Sequence, residues 1–329
     1  MRRREFVLFL SAAVWPQSGR AQATQRRLSI VLATKPSAEY EDAVAALDQT
    51  LDSLGWTRGA NLQVDQFWSA GDQDYEHALE VAKIVLASKP DVILAQSIVV
   101  VRALRSITRT TPIVFVHVAD PVSSGVVSNI AEPDGNITGV TNTFPSLGGK
   151  WLQILKDMVP GLRRAAMLVY PETQQPDRSF FLKSFEEAAR SLDVSIVAGE
   201  VRDLQEIQAV FANLAGAGTP GAVVLSPHSS FANNREELIA LAARFKVPTC
   251  YPYRYYAGLG GLMSYGVNNV DLFRQAAPYL DRILRGAKPH DLPVQQPTRF
   301  DLVINNKTAK ALNLLIPAPL LASAQEVIE

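Results

Sequence analysis

Cysteine is nearly absent: Cys250 stands alone among 329 residues. No internal disulfide can form, so stability must come from packing, and Cys250 reads as a small hydrophobe in a buried strand. An excess of either charge is lacking too, with lysine plus arginine numbering 32 and aspartate plus glutamate 32. A balanced chain has no long-range field with which to gather nucleic acid or an anionic membrane, and neither is expected as a partner. The four histidines, His77, His117, His228 and His290, are scattered without helical ligand spacing, which argues against a catalytic metal. No G-x-S-x-G elbow occurs, and Thr34-Lys35-Pro36 stands where a glycine fingerprint would follow the first strand. A hydrolase and a dinucleotide enzyme both lose their signature; the expectation is no enzyme, no catalytic residue, no metal and no cofactor. After the first residues, no uninterrupted apolar run approaches the roughly 20 residues needed to span a bilayer.

What is present begins with an export signal. Arg2, Arg3 and Arg4 precede a short apolar stretch at 6–14, and Ala21-Gln22-Ala23 offers small residues for cleavage. Residues 1–23 are therefore predicted to be a signal peptide, of the general secretory or the twin-arginine type, and the remainder to be released as a monomer.

From Leu28 onward, apolar runs of strand length alternate with segments of helical period. Strands are predicted at 28–33, 62–67, 92–95, 113–118 and 137–140, then at 166–170, 194–197, 222–225 and 248–251. Between them, Tyr40, Val44, Leu47, Leu51 and Leu54 share one helix face, as do Phe181, Leu182, Phe185, Ala188, Ala189 and Leu192. The fold class is α/β: two doubly wound parallel-sheet lobes joined by a multi-strand hinge. Crossings are placed near 141–144, near 253–259 where glycines cluster, and in the proline-marked segment 289–297. These divide the chain into an N-terminal lobe of 24–142 and 254–288 and a C-terminal lobe of 143–253 and 289–329.

Several segments then become specific in combination: LGW at 54–56 with Gly59-Ala60-Asn61, KPDVILA at 89–95, TPIVFVHVADPV at 111–122, GNITGVT at 135–141, GGLMSYG at 260–266, the long stretch 281–317 and the closing EVIE. In this order they resemble an ABC-transporter substrate-binding family of the tryptophan/tyrosine type. The resemblance covers nearly the whole chain after the signal. It implies the type I periplasmic-binding-protein fold, a periplasmic location, a small-molecule ligand and membrane permease subunits as partners. The ligand classes implied are an aromatic amino acid, an aromatic acid or a related carboxylate, captured by hinge closure. A ligand sensor that signals to a receptor is the alternative, and a periplasmic enzyme a lesser one.

Ligands of open parallel sheets bind beyond the carboxyl ends of the strands. The loops there nominate Thr34, Lys35, Gln96, Ser97, Asp120, Thr141 and Asn142 from the first lobe, and Tyr170, Ser226, His228, Tyr253 and Arg254 from the second. Ordinary structural roles compete with these assignments: Ser97 suits a helix N-cap, and Asp120 before Pro121 suits the cap of a proline-started helix. Lys35 suits a solvated loop charge. Related sequences carry a Gly-Thr-Pro turn and glutamates where this chain has Gln96-Ser97-Ile98, Tyr255 and Gly258. That departure removes the expected partner for an amino group and favours a carboxylate or neutral aromatic ligand, with Lys35 and Arg254 as counter-charges.

Overall fold

The computed structural model describes residues 25–69, 75–170, 178–216 and 218–329; the predicted signal peptide lies outside them. Its first half alternates β1 (Arg26–Leu32), α1 (Ala38–Ser53), β2 (Leu62–Trp68), α2 (Tyr75–Ala87), β3 (Val92–Gln96), α3 (Ile98–Ile107), β4 (Ile113–Val118) and β5 (Ile137–Thr141). The five strands are all parallel in the order β2-β1-β3-β4-β5. Helices cover both faces, so a central strand must be apolar throughout, and Val92, Ile93, Leu94 and Ala95 of β3 are all fully buried. Helix α1 buries Ala43, Val44, Leu47 and Leu51 along one stripe and ends before Gly55, whose φ of +93° suits a glycine.

The second half continues with α4 (Leu147–Met158), β6 (Arg164–Leu168), α5 (Arg178–Ser191), β7 (Ser195–Val197), α6 (Leu204–Gly216), β8 (Gly221–Leu225), α7 (Ser229–Asn233), α8 (Arg235–Phe245), β9 (Thr249–Tyr251), α9 (Arg254–Gly258) and β10 (Met263–Gly266). The chain then returns to the first lobe as α10 (Asn269–Leu284) and comes back as β11 (Asp301–Asn305), α11 (Asn306–Ala311), α12 (Ala318–Ser323) and β12 (Glu326–Ile328). The second sheet has seven strands in the order β12-β11-β10-β9-β8-β6-β7. It is mixed rather than wholly parallel, because β11 runs antiparallel to β10. The chain leaves for the other lobe at the carboxyl end of β10 and re-enters at that same end, so β11 must run the opposite way.

Two expected boundaries shift. The return was placed at 253–259, but Arg254–Gly258 form α9 and β10 still belongs to the second sheet, so the crossing follows Gly266. Gly260, with φ +107°, turns the chain back into the sheet instead of opening a linker. The segment 289–295, assigned above to the second lobe, extends the edge of the first. Gln295 N donates to Gly139 O at 2.9 Å, Thr141 N donates to Gln295 O at 2.9 Å, and Leu292 and Val294 are buried in first-lobe cores. The third crossing is therefore 296–300.

Helix α10 completes the first lobe although it lies far along the chain. Its Leu272, Phe273, Ala276, Ala277 and Leu280 pack in the same core as the α1 stripe. Trp56 Nε1 donates to Asp281 Oδ1 at 2.8 Å, and Arg285 Nη2 to Leu54 O at 2.8 Å. Aromatic rings line the crossings: Phe144 and Phe300 lie 5.2 Å apart, and Phe300 and Tyr265 5.7 Å. Gly266 is required at the exit of β10, since a Cβ there would stand 1.8 Å from Pro252 O.

Candidate ligand-binding cleft

Strand ends of the first lobe meet α9 of the second in a cluster of polar and aromatic side chains. Gln96, at the end of β3, is braced twice: its Oε1 accepts from Ala33 N at 2.7 Å, and its Nε2 donates to Tyr40 Oη at 3.3 Å. Ser97 follows with φ +83°, a conformation that costs a non-glycine residue about 1–3 kcal/mol. It stands at the N-cap of α3 but makes no side-chain cap hydrogen bond, so the ordinary capping role is not realised. His117, near the end of β4, also has positive φ, +58°, and sits at a register shift between Val116 and Val118. A bulge of this kind re-aims a side chain that a regular strand would send into the sheet's other face. The His117 ring lies 6.2 Å from Tyr40 and 6.1 Å from Tyr253, which stand on opposite lobes. Burial pushes its imidazole down to about 4, with the Asn269 side chain opposing, so it is neutral at pH 7.

Asn142, just past β5, bridges the lobes by donating from Nδ2 to Tyr253 Oη at 3.2 Å. Asn269, the first residue of α10, donates to Glu39 in the first turn of α1. Burial pushes the Glu39 carboxyl up to about 7, opposed by Asn269 and by the charges of Arg235 and Arg254. Among the described residues, two buried side-chain atoms of this cluster, Ser97 Oγ and Asn142 Oδ1, have no hydrogen-bond partner, while the His117 ring and the Asn269 side chain have each other. Orphaned buried polar groups are costly, so their concentration between two lobes marks a place built for polar contact.

The second lobe supplies a tyrosine stack. Tyr253 and Tyr255 are 5.7 Å apart, Tyr255 and Tyr256 4.5 Å, and Tyr256 and Tyr251 4.8 Å. Arg235, at the start of α8, places its guanidinium 6.0 Å from the Tyr255 ring centre.

Gln96, Ser97, Asn142 and Tyr253 thus fall together in the cleft cluster, while the other nominees sit elsewhere or are engaged. Arg254 is bidentate to Glu326, at 2.7 and 2.6 Å, so its fork is occupied. Asp120 accepts from Ser123 N at 2.9 Å in a capping contact, but the residues after it form turns rather than the expected helix. Thr141 faces Gln295 O, Thr34 donates to the Lys35 carbonyl, and Lys35 is exposed. Ser226 is buried at the end of β8. Tyr170 and His228 stack at 4.9 Å with an interplanar angle of 3°; Tyr170 donates to Arg202 O, and His228 Nδ1 accepts from Ser230 N at 3.1 Å.

The residues of this cluster that the sequence did not nominate are Glu39, Tyr40, His117, Arg235 and Asn269, whereas Tyr255 is one of three tyrosines, with Tyr253 and Tyr256, that it offers as an aromatic subsite. Glu39 places an acid beside this cluster from the start of α1, whereas the sequence reading looks for one only in the return segment. Among the described residues there is no cluster of metal-ligating side chains, and no helix is long and apolar enough to cross a membrane.

Two α/β lobes, three crossings and a polar cluster between the lobes define a type I periplasmic-binding-protein fold. The family model described as ABC transporter substrate binding protein matches residues 33–328, and the chain belongs to that family. A curated relative, the tyrosine-binding protein of Clostridioides difficile (strain R20291), is 22% identical over 267 residues, covering 81% of this chain and 75% of its own. A Streptococcus pneumonia ABC domain solved in complex with L-Trp superposes with a TM-score of 0.81 at 20% identity, covering 92% of this chain and 100% of that one. A ligand-free, open structure of a Clostridium difficile substrate-binding protein with adhesive properties scores 0.71 at 20% identity, covering 92% and 99%. The named relatives are substrate-binding proteins rather than enzymes.

Proposed function

We propose that this chain is the exported capture subunit of an ABC importer and that it takes one aromatic amino acid between its lobes. The observation that carries the reading is the orphaned cluster around Glu39. Among the described residues, Asn142 Oδ1 is a buried acceptor without a donor, and Ser97 Oγ, also without a partner, can accept as well. A cluster that holds a carboxyl group and buried acceptors suits an ammonium group. Tyr40, His117, Tyr253 and Tyr255 supply ring faces for an aromatic side chain. The relatives whose printed names mention tyrosine and L-Trp support the same class.

Capture is by hinge closure, with contacts that exist together only when the lobes meet, such as Asn142 with Tyr253. Moving such an equilibrium from mostly open to mostly closed requires about 5.5 kcal/mol of preferential binding, within reach of several buried hydrogen bonds and one buried ring. Thermal-shift and calorimetric screening of the exported form tests the reading. Tryptophan or tyrosine should raise the melting temperature and bind one to one. Tight binding of aromatic acids with amino acids silent, or turnover of any compound, would overturn it.

A further inference from the structure

Two opposite charges border one run of aromatic rings from opposite lobes: the ring contacts Tyr40–His117–Tyr253–Tyr255 lead from α1, which carries Glu39, to the Arg235 guanidinium. Glu39 opens α1 in the first lobe; Arg235 opens α8 in the second. The Arg235 charge acts on the Glu39 carboxyl, yet among the described residues the two form no direct ion pair. Arg254, the other guanidinium that acts on Glu39, is already committed to Glu326. Arg235 donates from Nη1 to Ala232 O at 3.0 Å and lies against the Tyr255 ring; among the described residues no carboxylate takes up its remaining donors. Tyr255 stacks on Tyr253, which faces His117 and bonds Asn142, so Arg235 borders the same cluster as the orphaned acceptors.

We infer that the two charged ends of an amino acid are divided between the lobes, with Glu39 taking the ammonium and Arg235 the carboxylate, so that the zwitterion itself ties the lobes together. This rests on the reading that the ligand is an aromatic amino acid held in this cleft. Glu39 has two oxygens and can keep the Asn269 donor while accepting from an ammonium, whose other N–H groups find Asn142 Oδ1. Arg235 presents a planar fork that matches a carboxylate. An amine satisfies one lobe and an acid the other. Neither spans the gap, so neither drives closure.

Calorimetry and small-angle scattering on the exported form, with L-tyrosine, tyramine and 3-(4-hydroxyphenyl)propionate, and with the tryptophan series in parallel, test the division. The wild type should compact with the amino acid and bind the amine and the acid about 100-fold more weakly, without compaction. R235Q should lose about 100-fold for the amino acid and leave the amine unchanged, while E39Q should lose the amino acid and leave the acid unchanged. R235K should recover part of the loss, a result that misfolding would not give. Equal weakening of amine and amino acid by R235Q, or full compaction of the wild type by the amine, overturns the division while leaving amino-acid capture intact. A wild type that ignores every aromatic amino acid overturns the functional reading and the division together.

Discussion

His117 and Glu39 titrate in opposite senses within one cluster. The Glu39 carboxyl, raised from 4.5 to about 7, contributes stability to the folded chain below pH 4.5 and loses it as the pH rises through 7. His117, lowered from 6.5 to about 4, contributes above pH 6.5 and loses that contribution as the pH falls toward 4. The two slopes oppose each other over most of the same window, so the ligand-free protein should melt at nearly constant temperature between pH 4.5 and 6.5. Single variants should unmask each slope: E39Q should become less stable as the pH falls, and H117Q more stable. Thermal denaturation across that range decides the matter, and wild-type profiles in both variants would exclude the coupling. Neither residue was legible in the sequence. An acid in a helix's first turn ordinarily complements the helix dipole, and a histidine within an apolar strand has no assignable face until the bulge at Val116 and Val118 is known. Gln96, Ser97 and Asn142 were found because strand ends face the cleft by topology alone, whichever rotamers they adopt.

At the scale of elements, strand positions were legible to within a few residues because the central strands β3 and β4 of the first sheet are covered on both faces and read as apolar runs, while edge strand β2, LQVDQFW, is only half-buried. The return crossing was not, since the glycines at 258, 260 and 261 look alike whether they open a linker or close a tight turn. Helix α10 shows what contiguity in sequence conceals: the first lobe's core is finished by residues that arrive after the whole second lobe has been laid down. Phe273 is fully buried against the α1 stripe. Truncating it to alanine should cost about 3–5 kcal/mol and, because the loss falls on one lobe, should broaden or split chemical unfolding monitored by tryptophan fluorescence. A sharp, unshifted transition would mean that α10 is not needed for the first lobe.

At the scale of the molecule, two lobes were legible from the repeated strand and helix alternation, and the family from its motifs. The contacts that span the lobes were not, because they depend on side chains far apart in the chain. Asn142 and Tyr253 form one such contact. Tyr253→Phe keeps the ring and removes the acceptor for Asn142. It should change overall stability by only about 1 kcal/mol while shifting the ligand-free population toward the open form, read as a larger radius of gyration. An unchanged radius would show that this bond does not hold the lobes together.

The pairing of Arg254 with Glu326 acquires a further meaning in this light. A cation that acts on Glu39 is held by an acid from the chain's last strand, which, on the proposed reading, keeps Glu39 for the ligand's ammonium. Replacing Glu326 with glutamine should release Arg254 to neutralise Glu39 from within, turning a receptor for amines into one that satisfies itself, with tyrosine affinity falling while the fold stays whole.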